Sequence, residues 1–232
     1  MAATEVLWCV VPAAGRGARF GAELPKQYVM LAGQPLLLWT LQRLAASPCI
    51  AGLMIALAAD DAHWPKIDAI ASKPVRTTIG AAERSGSVLA GLRALPPSVG
   101  EDAFVLVHDA ARPCVAVADI ARLIELGVPA GGALLATPLR DTLKLSDRDA
   151  RVVATEPREA RWRALTPQLF RRGELTLALE RAGRDGVAIT DEAMAIERTG
   201  QRPLLVEGAE SNIKVTTFAD LALADFLLTR SG

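Results

Sequence analysis

Short apolar runs alternate with helical patterns along the 232 residues of this chain, and that alternation limits the folds open to it. The runs are Val6 to Val11, Leu53 to Ala58, Val75 to Ile79, Phe104 to Val107, Gly132 to Ala136 and Pro203 to Glu207. Several are apolar on both faces, as strands covered by helices on both sides must be. Between them, Val88, Leu89, Leu92 and Leu95 follow Ser85 at helical spacing, and Leu175, Ala178, Leu179 and Ala182 repeat the pattern. A last helix is predicted from Thr217. Asp220 completes a capping box there, and Leu221, Ala224 and Leu228 face inward. Strand–helix alternation predicts an α/β fold with a mainly parallel sheet flanked by helices. The length suits one domain over residues 1–232. Ligands then belong at the carboxyl ends of the strands.

Arg140 to Glu156 breaks the pattern. Two stretches of mixed polarity, DTLK and RVVATE, flank Ser146-Asp147-Arg148-Asp149 and read as a hairpin. An isolated two-stranded hairpin is marginal in water. Residues 138–160 are therefore expected to pack on something else, with a second subunit the natural candidate and a flexible surface loop the alternative.

Charge and cysteine usage narrow the partners. Lys plus Arg balances Asp plus Glu at 26 each, which gives no basis for broad binding to nucleic acid or membrane. Any polyanionic ligand must meet locally concentrated positive charge. Cys9, Cys49 and Cys114 form no CxxC pair and are expected to be free thiols in a reducing compartment. No apolar run reaches the ~18 residues of a membrane span. The first residues carry no basic stretch ahead of an apolar one, so a cytosolic location without a secretory signal is expected.

The segment Pro12 to Lys26, PAAGRGARFGAELPK, follows the first strand directly. Ala13, Ala14, Gly15 and Gly17 allow backbone amides to approach a phosphate, and Arg16, Arg19 and Lys26 concentrate positive charge, a combination suited to a nucleotide triphosphate. It is neither GxxxxGK[ST] nor GxGxxG. In VLVHDAARP, Val105 to Pro113, a buried strand delivers Asp109 to its carboxyl end. A carboxylate there suits Mg2+, which takes few protein ligands and several phosphate oxygens, although a lone Asp after a strand also serves as a helix cap. His108 is the other possible ligand nearby, and a structural role is its ordinary reading. In GAAERSGSVLAGL, Gly80 to Leu92, Ser87 stands near a helix start, where it meets a base or ribose or simply caps the helix. Between Arg151 and Arg172 lie six arginines and two glutamates, either a solvated basic face or a phosphate-monoester site. Thr190-Asp191-Glu192 reads as a cap with first-turn acids. Lys214, in NIKVT, reaches phosphates or lies on the surface.

Together these segments resemble the 2-C-methyl-D-erythritol 4-phosphate cytidylyltransferase family of the non-mevalonate isoprenoid pathway. VPAAGRGARFGAELPKQY, AERSGSVLAGL, LVHDAARPCV, PLRDTLK, WRALTPQLF, ITDEA, LVEG and NIKVT occur in the family's order and cover nearly the whole chain. The resemblance implies a Rossmann-like nucleotidyltransferase fold with a projecting β-arm, a homodimer built through that arm, and a divalent cation, normally Mg2+. It implies that Arg19, Lys26 and Lys214 act on the transferring phosphates. It places Pro12, Ala13, Ala14, Gly15, Gly17, Gly80, Ser87, Asp109 and Ala110 on the nucleotide, with Asp109 also on the metal. It places Arg112, Thr142, Arg158, Thr166 and Thr190 on the sugar phosphate. The chain departs from the family in carrying Ala81 where a second glycine is frequent, a more charged Arg158 to Arg163, and Ser211 before NIKVT.

The implied chemistry suits the residues. A phosphate monoester, with a second pKa near ~6, is largely dianionic at neutral pH. It attacks the α-phosphorus of CTP without a general base, so positioning and charge neutralisation carry the catalysis. Three alternatives remain at this stage: a ribitol 5-phosphate cytidylyltransferase, a sugar-nucleotide enzyme using another base, and a non-catalytic nucleotide sensor.

Overall fold

A computed structural model describes residues 7–15 and 24–230. Strand β1 (Leu7–Pro12) is followed by a 3-10 turn (Lys26–Tyr28), the short strands β2 (Met30–Leu31) and β3 (Gln34–Pro35), and helix α1 (Leu36–Ala45). Next come β4 (Ile50–Leu57), β5 (Ala69–Ile70), β6 (Lys73–Ile79), α2 (Arg84–Ala94), β7 (Phe104–Val107), α3 (Val117–Gly127) and β8 (Ala133–Pro138). The rest is β9 (Leu143–Ser146), β10 (Val152–Glu156), β11 (Trp162–Arg171), α4 (Arg172–Arg184), α5 (Glu192–Glu197), β12 (Leu204–Glu207) and α6 (Phe218–Arg230).

An eight-stranded sheet runs in the order β12-β8-β11-β7-β1-β4-β6-β5. β1 is parallel to β4 and β7, β4 to β6, and β12 to β8. The expected mainly parallel sheet is present, with one internal exception. β11 is antiparallel to both β7 and β8 and lies between them. The basic cluster Arg151 to Arg172 thus contains a strand that its sequence pattern does not announce. Its arginines sit at the ends, while Leu165 to Phe170 is buried throughout, so a central strand lies under flanking charge.

Side chains alternate across the sheet with the period of two that a strand imposes. Cys9 and Val11 of β1 pack with Leu37, Leu41, Ile120 and Leu123 beneath α1 and α3. Val10, between them, packs with Val88, Leu92, Leu175 and Ile196 beneath α2, α4 and α5. Leu221, Ala224 and Leu228 turn α6 onto a third cluster with Leu31 and Val215. The predicted capping box is formed: Asp220 accepts the Thr217 amide at 2.8 Å, and Thr217 Oγ1 accepts the Asp220 amide at 3.2 Å.

The expected hairpin is β9 paired antiparallel with β10, outside the main sheet. It rises from the paired ends of β8 and β11, where Leu139 donates its amide to the Arg161 carbonyl at 2.9 Å. Val152 and Val153 are 64% and 61% exposed. Cys9, Cys49 and Cys114 are free and buried; burial pushes the Cys9 thiol up, and Cys114 up to about 11. Among the described residues no helix is long and apolar enough to cross a membrane.

Candidate active site

From β1 the chain crosses to β4 on one side, and from β7 it passes through α3 to β8 on the other. The reversal opens a crevice at the carboxyl ends of β1 and β7, where an α/β sheet binds ligands. A cleft of about 300 Å³ lies there. Pro12, Ala13, Ala14, Gly15, Lys26, Ser87, Asp109, Ala110 and Lys214 line it together. Gly80 abuts it. A Cβ on Gly80 would lie 2.7 Å from Ala14 Cβ and 2.9 Å from Ser87 Oγ, so the chain leaving β6 passes the loop after β1 this closely only as glycine. Arg16, Gly17 and Arg19 lie outside the described residues.

The loop after β1 is fixed from both sides. The Ala13 amide continues the ladder to Ala56 O at 2.8 Å. The buried Gln27 side chain donates to Ala13 O at 2.7 Å and ties the turn bearing Lys26 to the loop. Ser87 makes no helix cap. Its hydroxyl accepts the Ala81 amide at 2.9 Å and lies 3.0 Å from the Ala81 carbonyl, shaping the loop that faces Ala14.

Asp109, 6% exposed, is the electrostatic centre of the cleft. Arg84 Nε donates to Oδ1 at 2.7 Å, Lys214 Nζ reaches Oδ2 at 2.8 Å, and Arg112 Nε stands 3.6 Å from Oδ2. Burial alone would raise this carboxyl. Arg84, Lys214 and Arg112 outweigh it and hold Asp109 well below the usual carboxylate range. Lys214 is thus fixed by the carboxylate and faces the same cleft as Lys26.

Arg84 and Glu192, which no motif singles out as site residues, belong to the same network. Arg84 binds Asp109 with one edge and the fully buried Glu192 with the other, at 2.6 and 3.0 Å. Its signal was a misfit: a basic residue in a helix's first turn opposes the helix dipole and needs a reason to be there. Glu192 sits in the TDE motif read as a cap. Asp191 does cap α5, accepting the Met194 amide at 3.0 Å, and Gln168 donates to Asp191 at 2.9 Å.

The residues expected on the sugar phosphate are not gathered in the cleft of this single chain. Arg112 is buried behind Asp109 and donates through Nη1 to Asn212 O at 2.7 Å. Thr166 is 4% exposed, with its hydroxyl facing His108 and the Asp109 amide. Thr142 and Arg158 are exposed at the base of the hairpin, where the Arg158 guanidinium donates to the Arg140 carbonyl. Thr190 is exposed before α5. His108 is fully buried, and burial lowers its pKa to about 4, so the ring is neutral.

The donor set bears on a metal. Among the described residues no group of three or more His, Cys, Asp or Glu converges. Asp109 faces the cleft from a strand end, flanked by cations that keep it ionised, and the exposed Glu83 lines the rim before α2. That fits a Mg2+ carried in on phosphate oxygens and held by a single protein ligand, rather than a cage built of side chains.

The protein-family model described as IspD, 2-C-methyl-D-erythritol 4-phosphate cytidylyltransferase, matches residues 7–230. A 2-C-methyl-D-erythritol 4-phosphate cytidylyltransferase of Xanthomonas oryzae pv. oryzae (strain PXO99A) is 60% identical over 227 residues, 97% of this chain and 84% of the relative. One of Stenotrophomonas maltophilia (strain R551-3) is 59% identical, with 98% of each chain covered. The crystal structure of the Francisella tularensis 2-C-methyl-D-erythritol 4-phosphate cytidylyltransferase is similar with a TM-score of 0.81 at 31% identity, covering 96% of this chain and all of that one.

Proposed function

The chain belongs to the 2-C-methyl-D-erythritol 4-phosphate cytidylyltransferase family, and from that premise we propose that it transfers CMP from CTP to 2-C-methyl-D-erythritol 4-phosphate. The products are 4-diphosphocytidyl-2-C-methyl-D-erythritol and pyrophosphate. The observation that carries this reading is the cleft itself. Lys26 and Lys214 face one space, bounded by a small-residue loop and by an ionised Asp109.

An oxygen of the dianionic acceptor phosphate attacks the α-phosphorus, a new P–O bond forms, and the bridging bond to the β-phosphate breaks. Pyrophosphate leaves with the electron pair. Lys26 neutralises charge growing on the α-phosphate and the departing group, with Arg19 in the same role by family resemblance. Lys214, pinned by Asp109, adds a second fixed charge. Mg2+, when bound, shields the phosphates from one another, and Asp109 is the residue that would hold it. Ala13, Ala14 and Gly15 let backbone approach the triphosphate, and Gly80, Ser87 and Ala110 bound the nucleoside end.

One domain spanning 1–232 performs this chemistry, in the cytosol and without nucleic acid or membrane as partner. The working form is a homodimer joined through residues 138–160. Exposed Val152 and Val153, on a hairpin outside the main sheet, support that assembly. So does the position of Thr142 and Arg158, which lie away from their own chain's cleft and would complete the acceptor pocket, with Arg112, Thr166 and Thr190, across the interface.

A Mg2+-dependent pyrophosphate assay with CTP, UTP, GTP and ATP tests the donor. Release with CTP alone is expected, and equal release with UTP contradicts it. Lys26→Ala should reduce turnover about 100-fold or more while CTP affinity changes far less. Equal loss in both would reduce Lys26 to a binding lysine.

A further inference from the structure

The turn that carries Asp109 is closed by the imidazole of His108, which is 0% exposed. His108 Nε2 lies 3.1 Å from the Arg112 carbonyl oxygen, and Nδ1 lies 3.0 Å from Thr166 Oγ1. A carbonyl only accepts, so Nε2 carries the proton of the first contact. Nδ1 of a neutral ring is then bare, and Thr166 donates its hydroxyl to it. The Thr166 oxygen accepts the Asp109 amide at 3.0 Å. A continuous relay results, from the Asp109 N–H through the Thr166 hydroxyl and the His108 ring to the Arg112 carbonyl, with every proton assigned.

The rest of the turn is tied to the same frame. The His108 amide donates to Val10 O at 3.0 Å, and Thr40 Oγ1 donates to Ala110 O at 2.9 Å. Asn212 Nδ2 donates to Thr166 O at 2.8 Å, which joins the segment bearing Lys214 to β11. Through Thr166, the turn that carries Asp109 and Arg112 is joined to β11 and to the segment that carries Lys214.

We propose that His108 is a positioning residue for the transfer. Its ring, acting through the Thr166 hydroxyl, sets the direction of the Asp109 carboxylate and so the places of Arg84 and Lys214. The inference rests on the nucleotidyl-transfer reading of the cleft.

The test uses variants of the whole chain. Asn at 108 sets Oδ1 where Nδ1 stood and keeps the bond from Thr166. Gln at 108 sets an amide where Nε2 stood and keeps only the bond to Arg112. Thr166→Val removes the hydroxyl and keeps the shape. Groups that orient a liganding residue typically contribute 10- to 100-fold in activity. His108→Gln and Thr166→Val should therefore lower kcat by about that factor, with KM for CTP moving far less. His108→Asn should recover much of the activity that His108→Gln loses. The double variant His108→Gln/Thr166→Val should lose no more than the worse single, because the relay acts as one unit. Equal activity of the Asn and Gln variants, or losses that multiply in the double, would overturn the proposal. The chain has two histidines, so 15N-histidine spectra of His63→Gln report His108 alone. An Nε2–H tautomer is expected, and an Nδ1–H tautomer overturns the relay. That spectrum judges the relay in the resting protein, whereas a wild-type chain releasing no pyrophosphate would count against the transfer reading instead.

Discussion

Arg84 holds Glu192 at two points, Nη1 to Oε1 at 2.6 Å and Nη2 to Oε2 at 3.0 Å, and Glu192 is fully buried. The remaining edge of the guanidinium holds Asp109 at 2.7 Å, so α5 is connected to the cleft through one side chain. Breaking a buried pair strands a charge and costs about 3–5 kcal/mol. The Arg84 side chain keeps 25% exposure, which places Glu192→Ala near the low end of that range. Urea unfolding measures it. A loss below about 1 kcal/mol, the scale of exposed pairs, would contradict a buried role.

Two glycines predict different failures. At Gly91 an added Cβ would lie 2.4 Å from Val10 Cγ1, inside the core, so Gly91→Ala should cost about 1–3 kcal/mol of stability. At Gly80 the clash falls on Ala14 and Ser87, which line the cleft. Gly80→Ala should chiefly weaken CTP binding, read by titration calorimetry beside the same unfolding experiment. Unchanged CTP affinity in Gly80→Ala would remove it from the nucleotide site.

These contrasts mark what the sequence makes legible. Strands announced by uninterrupted apolar runs, such as Phe104 to Val107, fall where periodicity placed them, and the cleft appears at the predicted strand ends. β11 escaped because its apolar centre is short and lies between arginines that dominate a local reading. Arg84 and Glu192 escaped for a different reason. They are 108 residues apart, and only the fold, which packs α2 and α5 on α4 and brings their first residues together, makes them partners. The His108 relay is likewise invisible in one dimension, since Thr166 reaches His108 from a strand that periodicity did not predict.

The α6 cap gives a pH signature. Hydrogen bonds from the Thr216 hydroxyl, then from the Thr216 and Thr217 amides, lower Asp220 to about 2, against about 3.9 in an unfolded chain. A carboxyl with a depressed folded pKa adds stability that is complete above the unfolded value and disappears as pH falls through the folded one. Asp220→Asn should therefore be less stable than wild type at pH 6, by about 1 kcal/mol for a lost cap, and the gap should close toward pH 2. A gap independent of pH would contradict it.

The hairpin predicts an assembly. Val152→Asp/Val153→Asp replaces two exposed apolar side chains with charges on a strand that no neighbour in its own main sheet covers. Light scattering should report twice the 24.5 kDa chain mass for the wild type and a shift to the monomer for the variant. Acceptor KM should rise with it if Thr142 and Arg158 serve the partner's cleft. A monomeric wild type at working concentration would overturn the arm's role.

The central claim is the transfer of CMP to a specific acceptor, and one measurement meets it directly: pyrophosphate release with CTP, Mg2+ and either 2-C-methyl-D-erythritol 4-phosphate or ribitol 5-phosphate. Strong release with the erythritol compound and little with ribitol phosphate is the predicted result. Release only with ribitol phosphate would contradict the acceptor, and no release with either would contradict catalysis at this cleft.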